Sequence, residues 1–238
     1  EWLLAHHDEG VYERHRDKFL ALVSRRKKGE PVAYLLGYRD FWDSRLKVTR
    51  DTLIPRPETE LIIETILNNF DHRERLVVDL GTGSGAIAIA LAKERPEWII
   101  IGVDLSYDAL CVARMNGQLL PNLHWFQGDW GDAFSSCSID LLVCNPPYIA
   151  ENDPHLHSLS YEPQEALISD DNGMQDLAQV INCARSVLKN DGHLIVEHGH
   201  EQQSDVCDLL QASDFDQTPL IDLNGNPRAV WSKRIPES

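Results

Sequence analysis

The chain has 238 residues, 38 acidic against 22 basic, for a net charge of −16 and a hydrophobic content of 42%. That length suits one sizeable α/β domain with a small accessory segment. The charge argues against sequence-independent nucleic-acid binding, which needs a basic footprint, and leaves two readings open: solubility alone, or steering of a basic protein partner.

No apolar stretch reaches the roughly 20 residues of a membrane span, and Glu1-Trp2-Leu3-Leu4 has no signal-peptide pattern. The abrupt start suggests a longer natural N-terminus. The five cysteines, Cys111, Cys137, Cys144, Cys183 and Cys207, form no C-x-x-C. They read as reduced thiols of a cytoplasmic protein.

Residues 1–30 are predicted helical. Phe19, Leu20, Leu22 and Val23 form an apolar stripe, and Arg25-Arg26-Lys27-Lys28 before Gly29 is a stop signal that also suits the negative end of the helix dipole. Residues 31–57, with Tyr34, Phe41, Trp42, Leu46 and Val48, read as a hairpin or an ordered linker. Leu53-Ile54-Pro55-Arg56-Pro57-Glu58-Thr59-Glu60 then opens a helix to about Asn69, its prolines stiffening the approach. Residues 58–238 form the main domain.

From residue 75 strands and helices alternate. Strands are predicted near 76–80, 99–104, 123–126, 140–144 and 193–198, and helices near 84–94, 107–118, 173–188 and 201–212. Runs 215–221 and 228–234 flank Asn224-Gly225-Asn226-Pro227 as a closing antiparallel hairpin. The fold class is α/β, a Rossmann-like, mostly parallel, doubly wound sheet behind a small helical segment.

In such a sheet ligands sit beyond the carboxyl ends of the strands. Gly81-Thr82-Gly83-Ser84-Gly85 follows the first strand. Its third glycine comes one residue too early for a dinucleotide fingerprint, and no Gly-Lys-Ser/Thr of a P-loop is present. Asp104 ends the second strand, where a carboxylate can accept both ribose hydroxyls; Asp104 or Ser106 could equally cap the next helix. After the third strand, Trp130 can wall an adenine and Asp129 can accept its amino group. Together these residues form a candidate S-adenosylmethionine site.

The fourth strand, Asp140-Leu141-Leu142-Val143-Cys144, ends in Asn145-Pro146-Pro147-Tyr148. An amide nitrogen is a poor nucleophile because its lone pair is delocalised into the carbonyl. A methyltransferase must orient such an NH2 between acceptors, in line with the sulfonium. Asn145 offers a side-chain carbonyl. Pro146 has no N–H, so its own carbonyl is free to face the site. Pro147 stiffens the loop and holds Tyr148, whose flat ring can cover a planar amide or base. The proton can leave after transfer, so positioning carries the chemistry, with no evident general base. Asn145, Pro146 and Tyr148 are the candidate catalytic residues, and Asn145 also borders the cofactor.

Two histidine-bearing clusters carry less weight. Asp153, His155 and His157 in one loop, and Glu197, His198, His200 and Glu201 after a strand, match no zinc spacing. They read as surface or supporting polar residues.

The chain resembles the PrmC/HemK group of protein-(glutamine-N5) methyltransferases acting on peptide chain release factors. The matching segments are Gly29-Glu30-Pro31-Val32-Ala33-Tyr34, Leu53 to Glu60, Asp79 to Gly85, Asn145 to Ile149, and Glu162-Pro163 with Ala166-Leu167. Asn-Pro-Pro-Tyr alone is shared with adenine-N6 methyltransferases. Ile54-Pro55-Arg56-Pro57-Glu58-Thr59-Glu60 is more specific and separates this group from the ribosomal-protein glutamine methyltransferases. The resemblance implies a helical segment that docks the release factor, and a pocket at Asn145 to Tyr148 that takes the glutamine of its Gly-Gly-Gln loop. It implies no direct nucleic-acid partner and no membrane. Adenine-N6 methylation of nucleic acid and a non-enzymatic, methyltransferase-like binding module are the rival expectations.

Overall fold

A computed structural model describes residues 2–8 and 10–235; the outermost residues of the expected first segment and main domain, 1 and 236–238, lie outside it, as does residue 9. Helices α1 (Trp2–Ala5), α2 (Glu13–Lys27) and α3 (Val32–Leu36) come first, then the hairpin of β1 (Tyr38–Phe41) and β2 (Ser44–Lys47). A 3-10 turn, Pro57–Thr59, leads into α4 (Glu60–Asn69). The alternating region runs β3 (Leu76–Leu80), α5 (Ala86–Glu94), β4 (Ile99–Asp104), α6 (Tyr107–Asn116), β5 (Leu123–Gln127) and β6 (Ile139–Cys144). It continues with the short turn α7 (Asp170–Gly173), α8 (Gln175–Val187), β7 (Leu188–Glu197) and α9 (Gln203–Ala212), and closes with β8 (Thr218–Ile221) and β9 (Pro227–Lys233).

The large sheet has the order β5-β4-β3-β6-β7-β9-β8. The five strands from β5 to β7 are parallel, and β9 and β8 are antiparallel. Both faces are covered, so β3 and β6 read as nearly unbroken apolar runs. Val77, Leu141 and Ile195 face one core with Ile63, Ile66 and Leu91; Val78, Leu142 and Leu194 face the other with Val180, Ala184 and Leu210.

The register places the chemistry. Phe126, Val103, Leu80, Cys144 and Val196 form one row across the parallel strands. The residues that follow them include Asp104, Gly81, Asn145 and Glu197, so groups far apart in sequence stand side by side at the carboxyl edge. The Cys144 thiol donates to the Leu80 carbonyl at 3.1 Å and ties the two central strand ends together.

The hairpin is docked on the main sheet domain. Phe41 and Leu46 are buried in the core. Asn116 accepts from the Lys47 N–H at 2.8 Å and donates to the Lys47 carbonyl at 3.0 Å. In contrast, α2 buries no residue, and Phe19 is 64% exposed. Its stripe therefore does not belong to the core of the described residues. Its basic end is used locally: Arg25 pairs with Glu30, and Arg26 donates to the carbonyls of Gly29 and Glu30.

Candidate active site

Gly81, Gly83 and Gly85 have φ of 68°, 56° and 83°, values side-chain-bearing residues rarely adopt. At Gly85 a Cβ would also stand 2.7 Å from the Trp125 ring. The turn is held from below by Asp79, which accepts from the Thr82 hydroxyl at 2.6 Å and from the Ala88 N–H at 3.2 Å. From the side, Asp104 accepts from the Gly83 N–H at 2.8 Å and the Ser106 N–H at 2.9 Å. Ser106, not Asp104, caps α6, accepting from the Ala109 N–H. The capping reading of Asp104 thus falls to Ser106, and Asp104 braces the glycine turn.

Trp130 is half-buried, with φ of 42°, and its indole N–H donates to Gln179 at 2.9 Å. Its ring lies 3.7 Å from where a Cβ on Gly81 would be, so it walls the glycine turn. Asp129 is exposed.

Two clefts meet at the end of β6. The first is lined by Gly81, Thr82, Gly83 and Ser84, with Phe41, Pro55, Thr59, Asp79 and Asn145 among the remaining walls. The second, of about 210 Å³, is lined by Asn145, Pro146, Tyr148, Ile149, Leu159 and Leu167 among others. Leu53, Arg56 and Asn145 border both. Gly85, Asp104, Asp129, Trp130 and Pro147 line neither cleft.

The loop after β6 is braced from three directions. Gln202 donates to the Tyr148 carbonyl at 3.1 Å, and the Ile149 N–H donates to the Leu167 carbonyl at 2.9 Å. Asn145 Nδ2 reaches the Thr59 hydroxyl at 3.4 Å. Glu197 accepts from the Thr59 hydroxyl at 2.7 Å and the Tyr148 phenol at 3.3 Å. The reading of Glu197 and His198 as surface or supporting polar residues needs correcting as to surface, because both are buried, and Glu197 is 1% exposed. Glu197 ends the interior strand β7 and His198 follows it, so their polarity misleads when read without the sheet order. Sequence reasoning also missed Asp79 and Thr59 as parts of the site. The signal was present in Pro55-Arg56-Pro57-Glu58-Thr59, a rigid polar segment leading into an apolar helix. That segment is pinned by Glu162, which accepts from the Ile54 N–H at 2.9 Å and from Arg56 at 2.6 Å.

Burial pushes the Asp79 and Glu197 carboxyls up to about 7. Their ordinary values are 3.8 and 4.5, so in the window up to about 7 the native chain holds more protons than the unfolded one. These two groups therefore take stability away from the ligand-free protein as pH rises through it. His193 and His198, which burial holds below the ordinary 6.5, act in the opposite sense in the same window, while carboxylates held low, such as Asp222 with its backbone N–H partner from Asn226, act below about pH 4. From about pH 5 to 7 the loss is on the order of 2 kcal/mol for each carboxyl, partly offset by the two histidines. It is read from urea midpoints at the two pH values in the wild type and in Glu197→Gln, whose midpoint should fall less, or rise, as pH goes up. A Glu197→Gln midpoint that changes with pH as the wild type's does contradicts the assignment.

Among the described residues no group of three or more His, Cys, Asp or Glu gathers to hold a metal, and no helix is long and apolar enough to cross a membrane. Asp153 instead caps its own loop, accepting from the His155 N–H at 2.8 Å.

Comparison with known proteins follows the same division of the chain. A methyltransferase domain family matches residues 71–229, and the PrmC N-terminal domain matches residues 1–37. A protein of Coxiella burnetii named release factor glutamine methyltransferase is 44% identical over 90% of this chain and 79% of its own length. The protein of that name from Salmonella typhimurium is 39% identical over 99% of this chain and 87% of its own. A methyltransferase crystal structure from Pyrococcus furiosus covers 95% of this chain and 100% of its own, with a TM-score of 0.61 at 12% identity, which supports the fold.

Proposed function

The chain belongs to the release factor glutamine methyltransferase family, and from that premise we propose that it methylates the side-chain amide nitrogen of the glutamine in the Gly-Gly-Gln motif of peptide chain release factors. S-adenosylmethionine is the cofactor, and it supplies an electrophilic methyl group on a sulfonium. The observation that carries this reading is the register of β3 against β6. It sets the glycine turn beside Asn145 and makes one asparagine a wall of both clefts.

The residues present fit that cofactor. A Cβ at Gly83 would meet nothing within 4 Å, so the turn is open toward the cleft. Gly81 to Gly85 offer the backbone, Asp104 accepts the ribose hydroxyls, Trp130 walls the adenine, and Asp129 takes its amino group. On the acceptor side, Asn145 and the Pro146 carbonyl hold the NH2 while Tyr148 covers the amide plane. Leu159 and Leu167 keep water from the substrate stem. Residues 1–30 dock the release factor, 31–57 are the hairpin that closes the cofactor side, and 58–238 are the methyltransferase domain. We place the protein in the cytoplasm, where release factors act and where its five free cysteines stay reduced.

Incubation with labelled S-adenosylmethionine and release factor, ribosomal proteins or DNA in parallel tests this reading. Label on the release factor alone is expected. Label on DNA would favour the adenine-N6 reading, which the net charge of −16 opposes. Label on a ribosomal protein would favour the alternative glutamine substrate. No cofactor binding at all would favour a binding module.

The acidic balance also gives a kinetic expectation. If it steers a basic partner, association with release factor slows as salt rises, because the field is screened over roughly 8–10 Å. Stopped-flow association at two ionic strengths measures this, and an on-rate that ignores salt reduces the charge to solubility.

A further inference from the structure

A side-chain amide has two ends of nearly the same shape, one an acceptor and the other a double donor. Which end of Asn145 faces the acceptor cleft decides what it can hold there. With the carbonyl outward it accepts from an NH2; with the NH2 outward it favours a carbonyl or carboxylate. Shape cannot choose between these, so a hydrogen-bonding neighbour must. That neighbour is Thr59, whose hydroxyl lies 3.4 Å from Asn145 Nδ2. A hydroxyl alone does not discriminate either, since it can donate or accept.

Glu197 removes the ambiguity. Its carboxylate oxygens lie 2.7 Å from the Thr59 hydroxyl and 3.3 Å from the Tyr148 phenol, and all three groups are largely enclosed. An ionised carboxylate only accepts. The single Thr59 proton is therefore committed to Glu197, which leaves the Thr59 oxygen as an acceptor. Asn145 must then turn its NH2 toward Thr59 and its carbonyl away from it.

We propose that Glu197, acting through Thr59, is the positioning group that sets the Asn145 carbonyl toward the acceptor cleft and so selects a primary amide over a carboxylate. This rests on the proposed function and adds the device by which that site tells glutamine from glutamate. The groups that act on Glu197 are Thr59 and Glu58 from the 57–59 turn, Tyr148 from the loop after β6, and Arg228 from β9. Arg228 and the two hydroxyls favour the ionised form, while burial and Glu58 oppose it. Protonated Glu197 could donate to Thr59 and release the constraint, so transfer should rise with pH through about 7.

Thr59→Val keeps the shape but deletes the relay together with a bond that favours ionised Glu197, so it is compared with the wild type well above pH 7, and Thr59→Ser restores the hydroxyl. Each variant, with Glu197→Gln beside them, is assayed on a Gly-Gly-Gln release-factor fragment, and a Gly-Gly-Glu fragment serves as inhibitor. Calorimetry with S-adenosylmethionine reports folding. Thr59→Val and Glu197→Gln should bind cofactor as wild type does yet transfer methyl roughly 10–100-fold more slowly. Thr59→Ser should recover most of the rate. The pH dependence should flatten in Thr59→Val. The Gly-Gly-Glu fragment should inhibit Thr59→Val several-fold more tightly than wild type at a pH high enough to keep Glu197 ionised in both. Should Thr59→Val fail to bind cofactor, rate and pH profile are read on Glu197→Gln. An active wild type matched by a folded Thr59→Val or Glu197→Gln, or Thr59→Ser as slow as Thr59→Val, overturns the relay and leaves the function standing. A wild type that transfers nothing to the fragment removes both.

Discussion

Asn145→Ala is expected to lower single-turnover methyl transfer by roughly 10²–10³ while S-adenosylmethionine affinity stays near wild type, the scale for losing one preorganised polar group. Asn145 ends β6 between the two clefts, and its loss leaves the glycine turn and its Asp79 and Asp104 braces untouched. Asn145→Asp is the sharper variant. It keeps the shape and an acceptor but adds a negative charge beside the sulfonium. That charge favours the cation before transfer more than the neutral sulfur after it, so the rate still falls. It also turns a carboxylate oxygen toward the Thr59 lone pairs where the asparagine NH2 stood. Transfer by Asn145→Ala at the wild-type rate would reduce this residue to the end of a strand.

Asp104→Ala is expected to weaken cofactor binding by roughly 1.5–3 kcal/mol, the scale for charge-assisted hydrogen bonds, with little change in transfer once cofactor saturates. The carboxylate has two tasks, accepting from Gly83 and Ser106 and offering lone pairs to a ribose. Burial already raises its pKa from the ordinary carboxylate value, so the site keeps an expensive charge there. Asp104→Asn should lose affinity as well, because one end of the amide sets a donor against the Gly83 or Ser106 N–H. Titration calorimetry decides, and unchanged affinity in both variants contradicts the assignment.

The strands and helices were legible because a parallel sheet covered on both faces writes itself as apolar runs such as Leu76–Leu80 and Ile139–Cys144. Glycine turns and an Asn-Pro-Pro-Tyr at strand ends were legible because few other residues permit that backbone. Spatial order was harder to read. β6 lies beside β3, about sixty residues away in sequence, and only the pairing of Leu80 with Cys144 puts Gly81 next to Asn145. Thr59 and Glu197 were invisible as partners for the same reason, since their 2.7 Å hydrogen bond spans 138 positions. The apolar stripe of α2 was legible from its spacing, but what it faces was not: among the described residues nothing buries Phe19 or Leu20.

Fragmentation mass spectrometry of a release factor, after incubation with the enzyme and S-adenosylmethionine, locates the methyl group directly. One added methyl on the side-chain amide of the Gly-Gly-Gln glutamine is expected, with none on a factor carrying glutamate at that position and a strongly reduced yield from Asn145→Ala. A methyl group on any other residue, or an unmodified factor beside an enzyme that binds its cofactor, would contradict the assignment of this site to glutamine methylation.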